Sequence, residues 1–492
     1  MESVLVETRP APPPAISERE KRMIIGGVLL TMLLAALEQA IVAPAMTTIA
    51  AALGRAEYLP WVVTAYLLAA IAMAPLYGKL SDIYGRRRVI FAGVTIFMIG
   101  SLICAVAPNM FVLIGGRAVQ GLGGGGLLAL TQIVIGDLVP PAERARYASW
   151  TSGTWAIACI AGPILGGIFA EHLHWSLIFW INIPLGLFAL AITSAPLRKL
   201  PMVKRSHSLD WTGAALLVCA TTALLLALNW GGHTYPWLSW ELLAILAVSM
   251  ALWIAFGWRL LCAEEPFISL QILSNRIVLT AAFANLMLQG VLLGLSVFVP
   301  VYIQMQLGLS ATQSSLGLLG MLMGTFVGST LSGWVIPKMT HYRTIALFGC
   351  LVGATALFVL AAQVDGASFG LALGLLICAG FGVGTGFPVG TVAVQNAVDH
   401  AHLGVATGVL TFMRSLGAAL GVALLGAVAA SYGLKIGETE VAAQGGALLA
   451  KPFAAVFMWC GVIMIIGLAG FLLMPEKPLR QTHSGSQGGK RA

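Results

Sequence analysis

Fourteen apolar stretches, each able to cross about 30 Å of hydrocarbon as a helix of roughly 20 residues, follow one another along this 492-residue chain. They cover about residues 23–46, 60–79, 89–107, 110–136, 147–170, 175–195, 211–229, 238–260, 276–304, 312–335, 343–362, 367–394, 403–430 and 454–474. The runs are continuously apolar rather than alternating. That predicts helices, which satisfy their own backbone hydrogen bonds in lipid, and excludes a barrel. Only 9% of the residues are charged, where a water-soluble domain carries about 25%. Most of the surface therefore faces something other than water, and a soluble enzyme or secreted mini-domain is excluded. The seven Cys are scattered, six of them inside apolar runs, so neither a disulfide framework nor a zinc ribbon is expected.

Lysine and arginine set the expected orientation. With an even number of spans both termini share a side, and that side collects 22 of the 27 basic residues against three on the other. This bias places both termini in the cytoplasm. It also accounts for the net charge of +8 through contact with anionic lipid headgroups, without nucleic acid. The expected division is a disordered tail over 1–22, a six-helix half over 23–195, a linker with two extra helices over 196–265, a second six-helix half over 266–474, and a polar tail over 475–492.

The chain contains traces of a duplication. Gly78 to Arg88 reads GKLSDIYGRRR between spans 2 and 3, and a fainter GWVIPKMTHYR occupies Gly333 to Arg343, eight spans later, with Pro337 in place of the acid. The glycine-rich QGLGGGG of span 4 has a counterpart, GFGVGTGFPVG, in span 12. Six spans, two extra spans and six related spans is the simplest parsing. Such repeats are expected of secondary transporters, with substrate held between the halves.

These motifs resemble a known family. GKLSDIYGRRR is similar to the loop signature between helices 2 and 3 of the major facilitator superfamily, RAVQGLGGGG from Arg117 to its helix 4 motif, and GPILGG from Gly162 to its antiporter motif in helix 5. Together with LEQAIVAPAM in span 1 and WSLIFWINIPLG opening span 6, they make the chain resemble the fourteen-helix drug:proton antiporter branch. One departure is Glu38, where that branch usually carries Asp. The resemblance implies an all-α membrane fold of two six-helix pseudo-repeats plus two inserted helices.

The residues that carry chemistry follow. Glu38 lies about 22 Å into the first span at 1.5 Å per residue, and it is the one acid deep in hydrocarbon. Burial there favours the neutral carboxyl, so its proton is available for exchange with other cavity occupants. Arg117 is its natural partner, either as a coupling pair or as a static ion pair. Asp82 with Arg86, Arg87 and Arg88 forms a candidate cytoplasmic latch, in which the acid meets a helix N-terminus and nearby arginine. Gly78 and Gly85 permit close packing and a tight turn there. Gly153, Gly162, Pro163, Gly166 and Gly167 let helices approach and bend. Candidate substrate contacts are Gln39, Trp61, Gln120, Trp155, Asn285, Gln289, Tyr302, Gln395 and Asn396, with aromatic faces and an acid suited to an apolar cation. Arg414 has no deep acidic partner in its own half, so it either faces an anionic substrate or snorkels.

The expected function is a proton-coupled exporter of amphipathic, drug-like compounds in a bacterial inner membrane, working by alternating access. The alternative on the same fold is export of a lipid, siderophore, sugar or amino acid. No GxxxxGK[ST] loop, HExxH or GxSxG pattern occurs, so neither ATP drive nor an enzyme is expected. The expected partners are a small-molecule substrate, protons and membrane lipids around a monomer, with no cofactor, metal or nucleic acid.

Overall fold

The computed structural model describes residues 17–55, 58–139, 141–199, 210–231, 235–263, 266, 268, 270–399, 402–434 and 446–478. Fourteen helices among them are long and apolar enough to cross a membrane. We number the helices α1 Glu18–Ile41, α2 Leu59–Tyr84, α3 Arg86–Ala105, α4 Met110–Leu138, α5 Pro141–His172 and α6 Asn182–Ser194 in the first half, the last span being completed by the short helix Leu177–Trp180 that leads into α6. Then come α7 Trp211–Trp230 and α8 Trp240–Cys262, followed by α9 Arg276–Met305, α10 Ala311–Val335, α11 Arg343–Ala362, α12 Phe369–Ala397, α13 Leu403–Ser431 and α14 Gly446–Leu472.

Local chemistry starts and stops these helices. Ser17 and Ser310 begin α1 and α10 with capping boxes, pairing with Glu20 and Gln313, and Asn109, Asp210, Ser239, Asn275 and Ser368 cap five others. The Ser17 cap corrects the expected tail over 1–22: residues 18–22 already belong to α1, and residues 1–16 lie outside the described part. The expected first span to residue 46 also ends early. The α-helix stops at Ile41 and a 3-10 turn, Ala43–Ala45, follows, because Pro44 has no N–H to continue the ladder. The tail over 475–492 is packed at its start, since Glu476 accepts from the Arg343 backbone N–H at 2.7 Å. Residues 479–492 lie outside the described part.

The duplication is present in the packing. In the first half α4 packs on α2 and α3, α1 on α5 and α6, and α3 on α6; in the second half α12 packs on α10 and α11, α9 on α13 and α14, and α11 on α14. Each pair recurs eight helices later. The halves meet along two related seams, α2 with α13 and α5 with α10. The α7–α8 hairpin lies against the first seam, touching both α2 and α13. Apolar cores fill each half, and they interlock through Leu76 of α2 and Leu403 of α13.

Glycine makes the tight contacts possible. A Cβ on Gly121 or Gly125 of α4 would strike the carbonyl oxygens of Tyr66 and Ala70 on α2, and one on Gly123 would strike α3. In α12, Gly380 and Gly384 stand in the same way against Met321 and Thr325 of α10, while Gly382 faces Gly349 of α11. Without a hydrophobic force between helices in lipid, such close backbone approach supplies the packing energy. Gly125→Ala and Gly384→Ala should each cost about 1–3 kcal/mol through overpacking. Thermal unfolding in detergent should show drops of several degrees for both, and no comparable drop for Gly115→Ala, whose Cβ would meet nothing within 4 Å.

Candidate functional site

Glu38 and Arg117 form a buried ion pair inside the first half, with 0% and 1% of their side chains exposed. Arg117 Nη1 donates to Glu38 Oε1 and, at 2.7 Å, to Gln120 Oε1; its Nε donates to the Val62 carbonyl at 2.9 Å. The Tyr66 ring lies 4.5 Å from the guanidinium carbon. Asn182 Nδ2 donates to Glu38 Oε2 at 2.5 Å and to Ser101 Oγ at 3.2 Å, and Gln120 Nε2 donates to the same hydroxyl at 2.7 Å. Five helices, α1, α2, α3, α4 and α6, are thus tied at one charged centre. Each charge is desolvated, and only the partner charge and this full set of hydrogen bonds offset that cost.

The glycines of GPILGG pack on α1 beside this centre through the backbone. Gly162 and Gly166 of α5 sit against Ala40 and Ile41, where α1 breaks one residue short of the 3-10 turn, and a Cβ on either would collide there. Gly153, on the same helix, faces the Phe326 ring across the α5–α10 seam at 3.0 Å from a Cβ position. Pro163 is exposed, and Gly167 has open space.

A second polar cluster closes the seam at the face that carries the even-numbered joints. Arg86 bridges two acids: Nη1 to Asp82 Oδ1 at 2.5 Å and Nε to Asp137 Oδ2 at 2.7 Å. Asp82 Oδ2 also accepts the Val405 N–H at 3.0 Å, in the first turn of α13, so the acid meets the positive end of a helix from the other half. A Cβ on Gly404 would strike the Asp82 carboxylate, and one on Gly78 would strike the Gly404 carbonyl. Gly85 turns the chain between α2 and α3 at φ 86°, in the left-handed region. Arg87 instead reaches the Ser194 carbonyl of its own half at 3.1 Å, and Arg88 is exposed. Arg144 reinforces the closure by donating to the carbonyls of Gly136 at 2.6 Å and Gln395, across the seam, at 3.2 Å. Asp137, Arg144 and Gly404 were not singled out by sequence. An acid and a basic residue beside a joint look like ordinary interface charges until the fold brings them to the seam.

The candidate substrate contacts do not converge on one pocket. Gln120 belongs to the charged centre. Trp61 stacks edge-on against Trp230 of α7 with ring centroids 5.8 Å apart, and Trp155 packs on the apolar cluster around α1. Tyr302 is enclosed by Phe453 and Phe457. Gln395 Nε2 donates to the Gln132 carbonyl across the seam at 3.1 Å, and Asn396 holds the carbonyls of Lys477 and Pro478. Gln39 and Gln289 are half-buried, and Asn285 is buried against Arg414.

Across the other seam, Ser152 and Ser329 hydroxyls lie 2.7 Å apart. In a cysteine-free background, Ser152→Cys with Ser329→Cys should therefore form a disulfide under mild oxidation. Maleimide labelling of both thiols should fall by more than about tenfold and return with reductant; labelling unaffected by oxidant would contradict this closed arrangement.

Comparison with known proteins agrees with this geometry. The family model described as Major Facilitator Superfamily matches residues 28–422 and again 343–492. The chain is 34% identical over 408 residues to Multidrug resistance protein 3 of Bacillus subtilis, covering 83% of this chain and 79% of that protein. It is 32% identical to Multidrug transporter protein MdtP of the same species, covering 84% and 76%. The crystal structure of the human organic anion transporter MFSD10 superposes with a TM-score of 0.64 at 15% identity, over 92% of this chain and 99% of that one. With two six-helix repeats, a charged centre in the first and a matching family model over most of its length, the chain belongs to the major facilitator superfamily.

Proposed function

We propose that the protein is a proton-coupled exporter of amphipathic, drug-like compounds, a monomer with both termini in the cytoplasm of a bacterial inner membrane. The observation that carries this reading is the path from seam to charge. Helix α5 holds Ser152 and Gly153 on the seam with α10, and its Gly162 and Gly166 clasp α1 within a turn of Glu38. Separation of the halves at that seam moves α5, and α5 cannot move without disturbing the helix that carries the acid.

The similar proteins named for multidrug resistance and multidrug transport support the substrate class. The basic joints support the orientation through the positive-inside rule. In the closed arrangement the Glu38 carboxylate is fully covered, so the cycle takes up and releases its proton only after α1 and α5 shift. Loading a proton then frees Arg117 from its counter-charge, and the altered pair biases which face opens. One net charge moved down 100 mV contributes about 2.3 kcal/mol, enough for a concentration ratio of roughly fifty.

The same complete burial favours a second reading, in which the pair is a static pin and protons couple elsewhere. Glu38→Gln separates the two, because glutamine keeps its amide oxygen as an acceptor for Arg117 and turns its NH2 toward Asn182, whose amide can rotate to accept it, but carries no proton to exchange. In inverted vesicles the variant should lose pH-gradient-driven uptake of a fluorescent amphiphile by at least about tenfold per amount of folded protein in the membrane, the size of a lost coupling interaction near 1.4 kcal/mol. Normal uptake would leave the static pin standing and defeat the coupling role.

A further inference from the structure

We propose that Arg414 is an anion-recognition residue for substrate, and that the exporter selects amphiphiles bearing a carboxylate or similar anionic group. This deepens the efflux reading and rests on it. Arg414 lies 11 residues into α13, about 16 Å from the helix start at 1.5 Å per residue. Its guanidinium is held by neutral groups alone. Nε and Nη2 both donate to Asn285 Oδ1, at 2.9 and 2.7 Å, and Nη2 donates further to the Phe387 carbonyl at 2.9 Å and Thr391 Oγ1 at 3.0 Å. The Phe387 ring lies 4.9 Å from the guanidinium carbon. Three helices of the second half, α9, α12 and α13, therefore fix the plane and direction of the group.

No carboxylate among the described residues pairs with it, in contrast to Arg117, whose charge Glu38 neutralises. Nη1 makes no hydrogen bond among the described residues, and it is absent from the covered polar atoms that lack a partner. Part of the Nη1 surface is therefore left uncovered, in line with a side chain of intermediate exposure. An ionisable side chain within a span faces a cavity, pairs with an opposite charge or is held by backbone carbonyls. Here the Phe387 carbonyl meets Nη2 alone, and no opposite charge is supplied by the described residues. With the single deep acid committed to Arg117, the charge left to greet a ligand is positive. A carboxylate on Nη1 gains a charge-assisted hydrogen bond at little ordering cost, because the guanidinium is already immobilised. An amide of the same shape gains only a neutral one. Gln289, one turn beyond Asn285 on α9 and half-buried, extends the polar strip beside it.

The test compares dansylglycine with dansylglycinamide, which share a body and differ in charge, using full-length protein in nonionic detergent without phospholipid. Wild type should bind the carboxylate at least about tenfold tighter than the amide, a preference that Arg414→Lys reduces and Arg414→Gln abolishes. Equal binding of the two ligands by wild type overturns the proposal whether or not the variants fold, and so does an undiminished preference in a folded Arg414→Gln protein. The efflux reading is tested apart, by pH-gradient-driven accumulation of both dansylglycine and dansylglycinamide in proteoliposomes, each against protein-free liposomes. Loss of all driven transport strikes that reading, whereas equal handling of carboxylate and amide strikes only the anion site.

Discussion

The ion pair between Glu38 and Arg117 is the constraint on which the first half is organised. Two opposite charges sit where no water reaches, so each must be met in full by the other and by Asn182, Gln120, Val62 and the Tyr66 ring. Removing one partner of such a buried pair typically costs about 3–5 kcal/mol, because the remaining charge is left uncompensated. The same property makes the centre sensitive to a proton: one proton on the carboxyl converts a satisfied pair into a lone cation beside a neutral acid.

The second constraint lies between the halves. Lipid supplies no hydrophobic force to hold helices together, so the closure depends on backbone contacts at glycine and on a few polar bridges. Asp82 ends up shared between Arg86 of its own half and the first turn of α13, and Arg144 spans the same gap to the Gln395 carbonyl. Several separate interactions, each modest, hold this side of the seam together. The second half has no acid at Pro337 and answers differently: Arg343 finds Glu476, beyond α14, at 3.7 Å. The duplicated loop thus bridges the two halves on one side and anchors the following segment on the other.

The helices were legible in the sequence because hydrocarbon thickness imposes a length on every span, and the repeat was legible because close packing demands glycine at Gly121, Gly125, Gly380 and Gly384. The charged centre was legible only in its extremes. Glu38 and Arg117 stand out as deep ionisable residues, and Gln120 lies one turn from Arg117, but Ser101 and Asn182 are small polar residues in apolar runs with no periodic signal. The ends of α1 are set by local signals that composition hides: a serine–glutamate box at Ser17 and Glu20 outranks the proline-rich composition before it, and Pro44 outranks the apolar run through it. The substrate contacts were the least legible. Polar and aromatic side chains in spans serve as interhelix ties as readily as cavity walls, and only the fold distinguishes Gln395, on the seam, from Asn285, which holds Arg414.

Spin labels at Ser152 and Ser329, in the full-length protein reconstituted in lipid, would test most directly whether the sealed acid governs the seam. Pulsed dipolar distances recorded across a pH series should show the population with separated labels changing as Glu38 gains its proton, and Glu38→Gln should hold one population at every pH. A wild-type distribution indifferent to pH, or a Glu38→Gln distribution that still responds to it, would contradict the account.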